Sequence, residues 1–425
     1  MNRRITMHAA SLLLLAACST SGPSPAEPDA APPGDASADA APEGMSPHPP
    51  DGEQPPWDPV WRKKEPANWP TVGPEEMPSC GQGCRLALNG RIDGRFSPPS
   101  IGLSGIVEAF GDLYWAPAGE ANTYRLHEFD EKKNNAVLFV YSNGQYATYI
   151  QIDESLRRVE VINLVTGERK VAYSIEKIAG DLGLPSTALN SKYVFWERYG
   201  AGLMARNLQT GEIKIIHRGP VGSMGACTTE AGIWLFDLGE IKFFDQETGE
   251  VSLTDDDGAE WSLQVDGTCA ASSKQISWID YRDPPGPGSN YDFTRRGGEV
   301  YVKDLESGKV ERVTFDSPDA PRAKAHPVVD GTRFVWLEQL PELDPNPDTA
   351  SQVYSGASML VRYDAVSKER CRMRVSATQF ERPYALIGNR LYAGWADLDA
   401  YVHRLVELDL AHPGWEWECG YASSN

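Results

Sequence analysis

A hairpin signature recurs six times along this chain, and its regular return constrains the fold more than any other feature. NLVTGE begins at Asn163, NLQTGE at Asn207, DQETGE at Asp245, DLESGK at Asp304, DAVSKE at Asp364 and DLAHPG at Asp409. Each follows alternating apolar residues, and most carry a Thr-Gly or Ser-Gly pair, the chemistry of a tight turn between antiparallel strands. A second signature lies upstream of most copies, an aromatic strand closing on Trp and an acid. It reads YVFWE (193–197), GIWLFD (232–237), ISWID (276–280), FVWLE (334–338) and YAGWAD (392–397). DLYWA (112–116) reads as a further copy.

Successive anchors lie 44, 38, 59, 60 and 45 residues apart. The tryptophans at 196, 234, 278, 336 and 395 precede their anchors by 11, 11, 26, 28 and 14 residues. Trimming the two long units by their excess of 15 and 17 residues returns them to 44 and 43. One unit of about 44 residues is therefore repeated, with insertions at the same place in two neighbouring copies. Four short strands at that period mark a β-propeller blade. A lone blade cannot bury both its faces, whereas stacking around an axis lets each cover its neighbour. The expected fold is all-β, a propeller of four-stranded antiparallel blades over residues 80–425. Seven blades account for the 346 residues from Cys80 onward, with six as the alternative count. CRLALNG (84–90) either completes the first blade or closes the ring beside the last.

The pairs VVDGTRFVWLE (328–338) and LNSKYVFWE (189–197), each with a polar turn before the Trp strand, resemble the TolB-type propeller repeat, as does the Thr-Gly-Glu hairpin that follows. The similarity runs from about residue 100 to the C-terminus and implies architecture, not role. TolB carries an N-terminal α/β domain for which there is no room here, so its partners do not carry over. The Gly-His and Trp-Asp pairs of WD repeats are missing.

The N-terminus carries an address. Arg3 and Arg4 precede a short apolar run, densest at Leu12 to Ala17 and far below the roughly 20 residues of a membrane-spanning helix. Leu15-Ala16-Ala17-Cys18 resembles the lipobox of bacterial lipoproteins. That resemblance implies a signal peptide over 1–17, cleavage after Ala17 and lipid on Cys18. Ser19 in place of Asp implies the outer membrane, facing the periplasm or the exterior. Several acyl chains anchor stably where one is marginal. Residues 18–79 follow as a tether. Its stretch 19–61 holds twelve prolines, eight acids and no Lys or Arg, too little apolar surface to offset its ordering entropy. Trp57, Trp61 and Trp69 either dock on the domain or meet a lipid surface.

Six cysteines remain beyond Cys18, an even number that reads as disulfides in an exported protein. Cys227 and Cys269 precede Trp234 and Trp278 by seven and nine residues, on the first strands of adjacent blades. Cys371 and Cys419 follow Asp364 and Asp409 by seven and ten, on last strands. The expected pairs are Cys227–Cys269, Cys371–Cys419 and, across Gly81-Gln82-Gly83, Cys80–Cys84.

Formal charge is −20, and −22 without Arg3 and Arg4, which excludes nucleic acid as a partner and favours a soluble monomer, bound to membrane through the lipid alone. The chain has no Gly-x-Ser-x-Gly elbow, His-Glu-x-x-His or phosphate loop, so no catalytic residues and no cofactor are assigned. The acids after the tryptophans (Glu197, Asp237, Asp280, Glu338, Asp397) either ring the channel or, as repeat members, close their strands on nearby backbone amides. Asp344, Asn346 and Asp348 echo part of a calcium loop, as does Asp255-Asp256-Asp257-Gly258, but neither has the downstream Glu. The inserts 281–299 and 339–357 leave adjacent blades on one face, with Tyr281, Arg282, Tyr291, Arg295, Arg296 and Tyr354 as a recognition surface. The expected role is a binding or scaffolding module for a protein or glycan. A propeller hydrolase or lyase acting on an extracellular polymer is the rival, and inward carboxylates beside a His or Tyr at the channel mouth would mark it.

Replacing the lipidated residue tests the address. Cys18→Ser should accumulate as an uncleaved precursor that takes up no labelled palmitate, and normal processing of that variant would remove the anchor.

Overall fold

The computed structural model describes residues 60–61, 65–67 and most of 83–420. The longer stretches outside the description are 92–99, 128–135, 177–186, 219–226, 256–268, 281–297, 316–323 and 340–357. Within the described residues every extended element is a strand, and the strands form seven antiparallel sheets. These are the seven four-stranded blades of a propeller.

Blade 3 shows the plan. Thr187–Leu189, Tyr193–Arg198, Gly202–Asn207 and Ile213–Arg218 pair in sequence order from the axis outward. Blades 4, 5 and 6 repeat it from Cys227, Cys269 and Lys324, and blade 2 from Ala136. In blade 7, Phe380–Ile387, Arg390–Asp397 and Val402–Asp409 are completed by Cys84–Arg91, drawn from the other end of the chain. CRLALNG therefore closes the ring. The first strand of blade 7 then packs on Ser100–Gly102, the first strand of blade 1.

The hairpin signature has a direct physical cause. The side-chain oxygen of Asn207 accepts the backbone N–H groups of Gln209 and Thr210, both at 2.9 Å, and its carbonyl accepts from Gly211 at 2.9 Å. Thr210 Oγ1 accepts from Glu212 N–H, so each letter of Asn-x-x-Thr-Gly-Glu has a bond or a conformation to supply. Gly211 adopts φ +74°, and Gly167, Gly249 and Gly308 lie between +71° and +78°. Lys368 occupies the same position in blade 6 at φ +60°, where an L side chain is strained. Its Nζ reaches Glu311 of blade 5 at 2.6 Å, which offsets part of that cost.

Seven apolar clusters fill the seven gaps between blades. Alternation along the second strands feeds two of them at once. Trp196 packs toward blade 2 with Ile150, while Phe195 packs toward blade 4 with Ile233. Trp336 and Phe334 face Val300 and Val302 of blade 5, and Val335 and Leu337 face Trp395 of blade 7. Trp234 breaks the pattern. It stands opposite Phe243, two residues before its anchor, whereas Trp196, Trp278 and Trp336 stand opposite residues three before theirs. That one-residue offset turns its ring forward to meet Trp278 in a single cluster.

Two expectations are corrected. DLYWA does not occupy a second strand: Asp112–Pro117 is the third strand of blade 1, after Ser100–Gly102 and Gly105–Phe110. The tryptophan position of blade 2 is filled by Tyr149, in Tyr146–Ile152. Cys419 does not lie on the last strand of the next blade. The chain turns back after blade 7, and Glu418–Cys419 pairs as a fifth strand outside Arg370–Val375 of blade 6. Cys371 and Cys419 face each other there and are bonded, their Cα atoms 4.0 Å apart. Val60–Trp61 and Glu65–Ala67, inside the stretch expected to be tether, pair outside blades 2 and 1.

The interblade clusters should dominate stability. Trp336→Ala, at 0% exposure, should cost about 3–5 kcal/mol in urea unfolding. Val366→Ala, 75% exposed, should change stability by less than about 0.5 kcal/mol.

Candidate functional site

The two faces of the ring differ in how they are closed. First strands run to a turn, second strands return, and third and fourth strands repeat the excursion. One face therefore carries the first-to-second turns and the third-to-fourth hairpins. No first-to-second or third-to-fourth connection within a blade exceeds five residues, 208–212 being typical. The other face carries the longer second-to-third connections and the crossings from one blade to the next. Its four longest, 256–268, 281–298, 313–323 and 340–357, follow one another around blades 4 to 6. Tyr281, Arg282, Tyr291, Arg295, Arg296 and Tyr354 belong to these connections and lie outside the described residues, as do Asp344, Asn346, Asp348, Cys18 and Cys80.

The root of the first insert is held by buried charge. Glu299, the first residue of the third strand of blade 5, accepts Arg312 Nη2 at 2.9 Å and the Thr314 hydroxyl, and meets Lys324 Nζ at 3.2 Å. Lys324 is fully buried, opens the first strand of blade 6 and also donates to the Gly298 carbonyl at 2.9 Å. Two blades and the loop root are thereby tied by one network, whose charges tolerate burial because each is paired.

Along the axis lies a cavity of about 430 Å³ lined by the first strands of six blades. Val328 and Leu386 supply apolar wall, and Ser100, Ser142, Thr228, His326, Arg382 and Tyr384 supply polar groups. His326 and Arg382 are each the third residue of their strands, Lys324–Asp330 and Phe380–Ile387, at the end entered from the long-loop face. Each precedes a proline and sits in a β-bulge: the register slips between Ala325 and Val328 and between Phe380 and Pro383. Proline is tolerated because the innermost strand is an edge, and a bulge re-aims the side chains beside it. His326 also adopts φ +52°, rare for a non-glycine residue. Burial, reinforced by the Arg382 charge, pushes its pKa down to about 3, so the imidazole is neutral. The Arg382 guanidinium lies over the Tyr384 ring at 5.2 Å.

Of the acids of the Trp strands, the described ones, Glu197, Asp280 and Glu338, do not line this cavity. Asp280 and Glu338 are buried and accept the indole N–H of Trp278 and Trp336 at 2.9 and 3.0 Å, two residues back on the same face. Each carboxylate thus accepts the indole N–H of its own strand's tryptophan. Glu197 follows Trp196 directly and is also buried; the side chains of Asp237 and Asp397 lie outside the description. Cys227 and Cys269 are bonded across blades 4 and 5, with Cα atoms 6.0 Å apart, each opposite a tryptophan of the shared cluster. Glu369, Cys371 and Cys419 lie close together, but both sulfurs are committed to their disulfide. His326 and Arg382 were not picked out by the sequence. The signal that marks them is an X-Pro pair inside an innermost strand.

No family model matches the sequence, and no curated protein matches it. Solved structures match its fold. A prolyl endopeptidase aligns over 76% of this chain and 49% of its own, at 11% identity and TM-score 0.52. BamB from Moraxella catarrhalis aligns over 77% of this chain and 98% of its own, at 12% identity and TM-score 0.43. TolB from Acinetobacter baumannii aligns over 80% and 67%, at 13% identity and TM-score 0.34. The chain spans about half of the prolyl endopeptidase and 36% of the tricorn protease, which it also matches. At such identities the likeness is one of architecture.

His326 makes stability depend on pH with a definite sign. Its folded pKa of about 3 lies below the unfolded value near 6.5, so protons favour the unfolded chain in that window. Its contribution is complete above pH 6.5 and is lost as pH falls toward 3. Between pH 7 and pH 5 the wild type should therefore lose about 2 kcal/mol more than His326→Gln, read by urea unfolding at both values.

Proposed function

We propose that this protein is a binding or scaffolding module, a lipid-anchored propeller of the outer membrane that faces the periplasm or the exterior and takes a protein or glycan partner on its long-loop face. The observation that carries the reading is the gathering of the loop face's four longest connections beside blades 4 to 6, against blade turns of five residues or fewer on the opposite face. Binding residues concentrate on loops carried by a rigid scaffold. These loops hold Trp261, Tyr281, Tyr291, Phe293 and Tyr354 with Arg282, Arg295 and Arg296. Aromatic and arginine side chains dominate the energetics of recognition surfaces.

Val60 and Trp61 pair with Arg169 and Glu168, the first residues past the blade 2 hairpin, at the tight-turn end of that blade. A glycoside hydrolase of the usual kind would place a carboxylate pair at the channel mouth. The described lining offers His326, Tyr384 and Arg382 there.

Deleting 283–297 tests the reading, with shortening of 343–354 as an independent variant. Each should cost less than about 1 kcal/mol, since loop length enters the closure entropy only logarithmically. A partner captured from envelope extract by the intact chain should be lost from both. Retention of that partner by both folded variants would overturn the assignment of the face.

A further inference from the structure

The axial cavity has a charge balance opposite to that of the chain around it. Acids outnumber bases 60 to 40 over the sequence, yet the described lining contains Arg382 and no Asp or Glu. We propose that this cavity is a second site, separate from the long-loop face, for a small molecule bearing a carboxylate or phosphate group that Arg382 and His326 receive.

Each part of the cavity fits that chemistry. Its volume of about 430 Å³ lies within the range of small-molecule pockets, and its wall is mixed, with polar groups converging among apolar ones. Arg382 supplies a guanidinium fork, whose planar donors match the two oxygens of a carboxylate or phosphate. Stacking on Tyr384 restricts that fork before any ligand arrives. The neutral imidazole of His326 offers an N–H donor without bringing a second cation beside the first. Both residues are set by bulges in adjacent innermost strands, and His326 is held at φ +52°. Strain of that kind persists only where the surrounding structure imposes it. Lower in the cavity, Thr228 Oγ1 is buried without a hydrogen-bond partner among the described residues. The Ser100 hydroxyl, by contrast, already accepts the Ser142 N–H at 2.7 Å. An unanswered hydroxyl is a cost that a polar ligand atom would remove.

Isothermal titration calorimetry on the full chain at fixed ionic strength decides the matter, with citrate and inorganic phosphate as probes and glucose and spermidine as neutral and cationic controls. The expected result is saturable binding of at least one anion and of neither control; which anion binds identifies the recognised group. Arg382→Gln should weaken it at least tenfold and Thr228→Val about threefold, while deletion of 283–297 leaves it unchanged. Thr228→Val keeps the side-chain shape, so it remains informative even if Arg382→Gln does not fold. Absence of saturable anion binding, binding of spermidine, or affinity unchanged in both folded variants would overturn the site. Loss of binding in the 283–297 deletion would overturn its separateness and leave the reading of the loop face standing.

Discussion

A four-stranded blade that is apolar on both faces is stable only between two neighbours, and everything else in this structure depends on closing seven of them into a ring. Alternation along each second strand divides its large side chains between two gaps, as Phe195 and Trp196 do. The seven gaps are not equal. Between blades 7 and 1 the buried apolar residues among those described are Ile106 and Leu405, with Ile101 and Tyr392 partly buried beside them. That is the gap where the two ends of the propeller meet, and there apolar packing is supplemented by strand pairing. Cys84–Arg91 completes blade 7, the Gly83 carbonyl accepts Asp409 N–H at 2.8 Å, and Arg85 grips Glu407 with two bonds of 3.0 Å.

The chain ends also manage the outer rim. An unpaired outer strand is a template for association with another chain. Blades 1, 2 and 6 have theirs covered by Glu65–Ala67, Val60–Trp61 and Glu418–Cys419. The last of these is fastened several times over. Cys371–Cys419 bonds it covalently, Arg372 meets Glu418 at 2.8 Å, and Arg362 lies over the Trp417 ring at 4.4 Å. A disulfide across 48 residues typically contributes about 2–4 kcal/mol, which here retains a tail that has little apolar burial of its own.

Closure leaves the ring with one plain face and one variable face. The plain face is built from Asx turns and left-handed glycines, and bonds such as Asn190 Nδ2 to the Thr229 carbonyl tie neighbouring turns together, so it has little freedom to vary. The variable face can lengthen its connections because their roots are secured elsewhere, as Glu299 and Lys324 secure the first insert. At the axis the innermost strands are edges, free of the ladder on one side. The proline-bearing bulges and a left-handed histidine are tolerated there. Cavity and loops thus arise from the two parts of the blade least bound by the repeat.

The sequence by itself determined the repeat and what is local to it. Asn/Asp-x-x-Thr/Ser-Gly-Glu is legible because each residue acts on a neighbour within five positions, and the interval between copies counts the blades. The two inserts were placed between second and third strands for the same reason. Cys227 and Cys269 were pairable because equivalent strands of adjacent blades meet near the axis. Tertiary structure alone decided what depends on distant pairing. Cys84–Arg91 could complete blade 1 or blade 7 on the same pattern, and only the geometry of a closed ring selects blade 7. Trp234 carries the same signature as Trp278 yet faces the other way, because a strand of period two turns a one-residue offset into a change of face. His326 and Arg382, 56 positions apart and in unlike sequence contexts, become neighbours only when blades 6 and 7 stand side by side at the axis.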